Sequence, residues 1–130
     1  MRSRETLLRL HRFRTEEKRR QVADIESMIQ DFMRKYDDLD AHVKMEESRN
    51  GISDPNHFNY SLAAKAARGR RDNLMKSIAE LKDQLNDAQA ALEEEQGELR
   101  RAELLIEKEG GNSSVPISGS DRLVPGLQLR

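Results

Sequence analysis

The chain of 130 residues has no cysteine and no tryptophan, and aromatic residues make up only 4% of it. The missing cysteines exclude a disulfide framework and a thiolate zinc site, and they suit a reducing compartment. With so few aromatic side chains and 36% charged residues, a wide globular core could not be filled. No apolar run approaches the ~18 residues that a membrane span needs. These absences favour a long, thin helical protein.

The sequence also lacks the motifs of catalytic, phosphate-binding and metal-binding sites. No glycine-rich phosphate loop occurs, and no nucleophile and base stand in an arrangement typical of an active site. The histidines His11, His42 and His57 are far apart and have no i, i+4 partner or carboxylate cluster at metal-ligand spacing. We therefore predict a protein that is not an enzyme, with no catalytic residue, no cofactor and no metal site.

The sequence does contain two series of apolar residues spaced alternately three and four positions apart, which is the heptad pattern of a coiled coil. The first series is Val22, Ile25, Ile29, Phe32, Tyr36, Leu39 and Val43. The second runs from Leu74 to Ile106, and only Glu95 is polar on that spacing. Each series predicts a long helix with one buried seam.

The two series mirror each other about Pro55. Ile29 lies as far before this proline as Leu81 lies after it, and Val43 and Ala67 are related in the same way. Such matching is what two antiparallel helices require. We predict an all-α fold in which two long helices form an antiparallel coiled-coil hairpin.

Local signals set the expected boundaries of this hairpin, which should occupy residues 1–109. We expect a helix over about 4–49, a hinge over about 50–59 and a second helix over about 60–109, each about 70 Å long at ~1.5 Å per residue. The dipeptide Asn50-Gly51 stops the first helix, and Pro55 prevents its continuation. Residues 110–130 are rich in Ser, Gly and Pro, and we expect them to form a flexible, disordered tail.

The seam weakens towards the N-terminus, where two interpretations stay open. Continuing the register places Thr15 and His11 in the core and leaves Leu7, Leu10 and Phe13 off the seam. A stutter would return these apolar residues to the core. Alternatively, they form an apolar stripe on the outside that is available to a partner.

Charge is distributed unevenly along the chain. Residues 1–20 contain eight Arg or Lys against three Glu, whereas residues 90–109 contain seven Glu against three Arg or Lys. In a hairpin these segments lie side by side, and their attraction offsets the unfavourable helix dipole of each. We also expect some of the arginines to remain free to meet an acidic partner.

Several segments resemble the flagellar export protein FliJ family in its alphaproteobacterial form. The N-terminal stretches RETLLRL at 4–10 and EKRRQVA at 17–23 are similar to the start of that family. The hinge GISDPNHFNY at 51–60 and the following RRDNL at 70–74 are the more specific part. The resemblance covers about residues 1–109, and the tail from Gly110 departs from it.

This resemblance implies a non-enzymatic component of the flagellar type III protein export apparatus. Family members are similar to the central stalk of rotary ATPases and assist the delivery of chaperone-bound substrates. The implied partners are the export ATPase, the membrane-embedded export gate and the export chaperones. No small-molecule substrate or nucleic acid is expected. The implied location is the cytoplasm, peripherally at the inner face of the cell membrane, with membrane contact only through partners.

The resemblance also suggests where the partners bind. The end formed by the chain termini would meet the ATPase, and the half near the hinge would meet the gate. For the ATPase the candidate residues are Leu7, Arg9, Leu10, Arg12, Phe13 and Arg14. For the gate they are Tyr36, Leu39, Val43, Phe58 and Tyr60.

Two alternatives from other classes remain. The basic cluster of Lys65, Arg68, Arg70 and Arg71 would suit a coiled-coil arm that binds structured RNA, with an affinity that falls steeply with salt. Otherwise the chain would be a structural coiled coil whose hinge opens so that two copies pair through the seam.

Overall fold

In the computed structural model, the backbone is described for residues 2–114 and the side chains for residues 3–109. This part of the chain is all-α and contains two helices, α1 (Arg2–Asn50) and α2 (Leu62–Ser114), joined by the loop 51–61. The predicted fold, an antiparallel hairpin of two long helices, is confirmed. The predicted flexible tail covers residues 110–130. Residues 115–130 lie outside the described residues, so only 110–114 can be compared with the prediction.

The second helix continues past its expected end at residue 109. Its backbone remains helical through Gly110 and Gly111 as far as Ser114. Each glycine costs about 1 kcal/mol relative to alanine in a helix. Extending a helix that already exists carries no nucleation cost, however, so two glycines do not terminate it.

The first helix ends where the sequence predicts, at the Asn50-Gly51 dipeptide. Gly51 has a φ of +78°, and its N–H donates a hydrogen bond to the Glu47 carbonyl at 2.8 Å. This is the left-handed C-terminal capping arrangement that glycine favours. The Asn50 side chain then donates to the Asn59 carbonyl at 2.8 Å, which connects the two ends of the loop.

A pair of glycine substitutions tests this cap. Gly51→Ala should lower the free energy of unfolding by about 1 kcal/mol, because an L-residue is strained at positive φ. Gly69 lies inside α2, and a Cβ added there meets nothing within 4 Å. Gly69→Ala should therefore raise the free energy of unfolding, by up to about 1 kcal/mol. Urea denaturation followed by circular dichroism measures both; a stabilising Gly51→Ala would contradict the cap.

The second helix begins with a serine cap. Ser61 Oγ accepts a hydrogen bond from the Ala64 N–H at 3.1 Å, and the Ser61 carbonyl accepts the first helical bond from Lys65 at 2.9 Å. Earlier in the loop, the Asp54 carboxylate accepts a hydrogen bond from the Asn56 N–H at 3.0 Å, which closes a turn. Short-range polar side chains thus direct the chain out of α1 and into α2.

The chain forms two compact units. The hinge unit is Lys18–Leu92, and the described part of the terminal unit comprises residues 2–17 and 93–114. In the hinge unit every position of the first predicted seam is buried or half-buried. Both members of two predicted layers, Ile29 with Leu81 and Val43 with Ala67, are buried.

A polar pair beside this seam connects the two helices of the hinge unit. Arg71 donates to the Asp40 carboxylate at 2.9 Å, and Lys44 pairs with the same carboxylate at 3.1 Å. These cations, Lys44 first and Arg71 second, hold the pKa of Asp40 below its ordinary value. Asp40 and Arg71 are nearly equidistant from Pro55, so the pair agrees with the predicted antiparallel register.

In the terminal unit, α1 has buried or half-buried positions at the three-and-four spacing of a seam. Leu8, His11 and Thr15 follow the three-and-four spacing, and all three are at least half-buried. Leu7, Leu10 and Phe13 are exposed. The stutter interpretation is therefore wrong, because polar side chains occupy the core layers that a stutter would have given to these apolar ones.

Candidate partner-binding surface of the terminal unit

An exposed apolar stripe runs along α1 in the terminal unit. Leu7, Leu10 and Phe13 are 48%, 41% and 61% exposed. Their spacing of three residues keeps neighbouring members adjacent on the helix surface. Since the seam positions are filled by other side chains, these three residues are free to contact another molecule.

The second helix adds two leucines that the sequence analysis missed. Leu104 and Leu105 are both more than half exposed. Leu7 and Leu105 line the same shallow groove. The sequence could have revealed them, because both leucines lie outside the three-and-four seam spacing that ends at Ile106. We use "terminal apolar surface" for these five exposed residues, namely Leu7, Leu10, Phe13, Leu104 and Leu105.

Four arginines lie near the stripe on α1. Two of them form ion pairs with α2, and two do not pair with any described part of the chain. Arg12 lies 3.8 Å from the Glu103 carboxylate, and Arg4 lies 2.8 Å from that of Glu109. These pairs confirm the predicted attraction between the basic and acidic segments, although exposed pairs contribute only about 0–1 kcal/mol each. Arg9 and Arg14 are exposed and make no ion pair with any described residue. They are the free cations that the charge distribution predicts.

Beneath this surface lies a polar layer of the seam. His11 from α1 comes close to Glu95 and Glu98 from α2, and one ligand atom of each lies within 4.8 Å of the others. Thr15 is only 1% exposed, and its hydroxyl donates to the His11 carbonyl at 2.8 Å. The sequence has no carboxylate cluster at metal-ligand spacing from a histidine, and folding brings one together. The sequence pattern does not reveal the cluster, because His11 lies in α1 and the two glutamates lie in α2.

The residues proposed for the gate have very different exposures. Val43 and Tyr60 are buried in the hinge unit, and Tyr36 and Leu39 are half-buried in its seam. Phe58 is 89% exposed and stacks on His57 with ring centroids 4.9 Å apart. A partner could reach Phe58 in the folded state, whereas contact with the Val43 and Tyr60 side chains would require unfolding.

Tyr60 instead connects the end of α1 to the loop. Its hydroxyl donates a hydrogen bond to the Glu47 carboxylate at 2.6 Å. Burial raises the pKa of this hydroxyl above its ordinary value, and the bond to Glu47 raises it further. The folded state therefore holds the phenolic proton more tightly than the unfolded state does.

This linkage predicts a loss of stability at alkaline pH. A pKa raised by folding contributes stability that is present below the unfolded pKa of about 10 and is lost as the pH rises through the folded value. Tyr60→Phe should cost about 1 kcal/mol near neutral pH, because it removes one hydrogen bond. It should also flatten the alkaline decline of the urea midpoint. Tyr36→Phe is the control and should keep the decline; equal curves for both variants would contradict the linkage.

The basic cluster considered for RNA is partly engaged within the protein. Arg71 is held by Asp40 at 2.9 Å, and Arg68 is half-buried. Lys65 and Arg70 are exposed. The cluster thus presents fewer free cations than the sequence suggested.

No family model, curated protein or solved structure in our comparisons matches this chain. Neither of the two described helices contains a stretch long and apolar enough to cross a membrane.

Proposed function

We propose that this protein is a non-enzymatic component of the flagellar type III protein export apparatus. It binds the export ATPase through the terminal apolar surface and the arginines beside it. It also contacts the export gate and assists the delivery of chaperone-bound substrates. In this role it is peripheral to the cytoplasmic face of the membrane and reaches the membrane through its partners.

The terminal apolar surface is the observation that carries this proposal. Five large apolar side chains remain exposed there, while Thr15 and His11 occupy seam positions. Large exposed apolar patches mark interaction sites, and Leu7 and Leu105 share one groove here. Together with the resemblance of 4–10, 51–60 and 70–74 to the flagellar export family, it favours an ATPase contact at this location.

The hinge offers a second surface for the gate. Phe58 and Leu62 are 89% and 82% exposed; Phe58 lies in the loop, and Leu62 is the first residue of α2. We assign the gate contact to these two residues in place of Val43 and Tyr60. The two partners would then bind different units of the chain.

Direct binding tests this function. The full chain should bind the purified export ATPase and, separately, the soluble domain of the export gate protein, as measured by titration calorimetry. Phe58→Ala with Leu62→Ala should weaken gate binding and leave ATPase binding unchanged. Binding to neither protein would overturn the proposal. Tight binding to structured RNA with a steep salt dependence would favour the alternative basic arm.

The free arginines lead to a kinetic prediction. Arg9→Gln with Arg14→Gln should slow association with the ATPase by up to about tenfold at low salt and reduce its salt dependence, because charges at an interface rim steer encounters. Arg12→Gln is the matched control and should have a smaller effect, since Arg12 already pairs with Glu103. Stopped-flow association rates at several salt concentrations measure this. An unchanged rate for the double variant would place the ATPase contact elsewhere.

A further inference from the structure

The polar layer of the terminal unit contains a set of metal-ligating groups that the proposed function does not use. His11 projects from α1, and Glu95 and Glu98 project from the same face of α2, three residues apart. One ligand atom from each residue lies within 4.8 Å of the others, and all three residues are half-buried. Three potential ligands from two helices thus converge on one point.

Two of these groups lack the partners that buried polar atoms require. The His11 side chain is only 14% exposed, and its Nδ1 lies 4.0 Å from Glu98 Oε1, which is too far for a hydrogen bond. Nδ1 of His11 and Oε1 of Glu95 are buried and form no hydrogen bond with any described residue. Buried polar atoms in folded proteins are almost always partnered, so an additional group is expected between them.

The neighbouring side chains do not supply that group. The hydroxyl of Thr15 already donates to the His11 carbonyl at 2.8 Å. Arg101 lines the same groove as His11 and Glu98 but forms no ion pair with any described residue. What remains is an imidazole nitrogen that faces carboxylate oxygens. In the tautomer with the imidazole proton on Nε2, Nδ1 and the ionised carboxylate oxygens are all acceptors. Acceptors that face each other need a hydrogen-bond donor such as water, or a cation, between them. An imidazole and two carboxylates arranged in this way fit a metal cation.

We propose that His11, Glu95 and Glu98 bind a zinc ion, which connects α1 to α2 within the terminal unit. Imidazole nitrogen and carboxylate oxygen are both ordinary zinc ligands, at about 2.0–2.2 Å, so tetrahedral ligand atoms lie about 3.4 Å apart. Binding therefore requires the three ligand atoms, which lie within 4.8 Å of one another, to move closer together. Two carboxylates neutralise the charge of the divalent ion, and water fills the fourth position. Calcium and magnesium prefer sites composed of oxygen ligands alone, whereas imidazole is an ordinary ligand of zinc.

Zinc chloride alone, added to chelator-treated full-length protein, is the probe. Titration calorimetry should show one site per chain with micromolar affinity, and zinc should raise the thermal midpoint. His11→Gln and Glu98→Gln should each weaken zinc binding at least tenfold. His57→Gln is the control, because His57 lies in the exposed loop, and it should bind as the parent does. Cobalt in place of zinc should give visible absorption bands that disappear with His11→Gln.

Three results would overturn the site. One is the absence of zinc binding to the parent protein at micromolar concentrations. Another is equal zinc affinity in the parent, His11→Gln and Glu98→Gln, which would indicate binding elsewhere on the surface. The third is a thermal midpoint that does not change when zinc is added. Glu98→Gln keeps the test valid if His11→Gln disturbs folding, since the Glu98 side chain is 39% exposed and that of His11 only 14%.

Discussion

Replacing Leu10 and Phe13 together with alanine should leave the helical content and thermal midpoint of the protein nearly unchanged and weaken its binding to the export ATPase by about thirtyfold or more. Both side chains are exposed, and they contribute little to the core of the terminal unit. A buried anchor in an interface contributes about 1–3 kcal/mol. Titration calorimetry with the purified ATPase measures the loss.

The matched control lies in the hinge. Phe58→Ala with Leu62→Ala removes side chains of the same types, and these are even more exposed. This variant should bind the ATPase as the parent does. If both double variants bind equally well, the ATPase contact does not use the terminal apolar surface. If the Leu10 and Phe13 variant loses helicity, these residues stabilise the fold and the surface interpretation is wrong.

Replacing Ile29 and Leu81 together with alanine should unfold the hinge unit at physiological temperature. Both residues are buried, and each truncation of a buried aliphatic side chain costs about 2–5 kcal/mol. The total approaches the whole stability of a typical domain, about 5–15 kcal/mol. Because long helices in proteins depend on tertiary packing, far-UV circular dichroism should record a large loss of helix.

Methionines on the outside of the same helices provide the comparison. Met28 and Met75 are exposed, and Met28→Ala with Met75→Ala should shift the free energy of unfolding by less than about 0.5 kcal/mol per site. Equal destabilisation of the two double variants would mean that the seam is not where the three-and-four spacing places it. Urea denaturation of both variants decides the question.

Most of the fold was predictable from the sequence because its determinants are local or repetitive. The spacing from Val22 to Val43 defines one buried face at every turn of α1, and the mirror relation about Pro55 sets the antiparallel register. Gly51 and Ser61 supply the helix end and the helix start through short-range hydrogen bonds. The end of α2 was less predictable, since Gly110 and Gly111 weaken a helix without ending it.

The candidate sites were only partly predictable. The free arginines and the stripe of Leu7, Leu10 and Phe13 could be named from the sequence, but their exposure could not be decided there. The same sequence is compatible with a stutter and with an exposed stripe. The two arrangements differ only in which side chains pack against the other helix. Leu104 and Leu105 escaped notice because two adjacent leucines beside a seam are common in any long helix.

The sequence by itself determined that this protein is a two-helix hairpin with a basic segment beside an acidic one, since helix period and charge are properties of residues near one another in the chain. Tertiary structure alone decided the environment of each side chain. It buried Tyr60, left Phe13 exposed, and placed His11 beside Glu95 and Glu98. The reason is physical: burial and metal-ligand distance depend on which faces of two helices meet, and residues more than eighty positions apart in the chain share such a face only after folding.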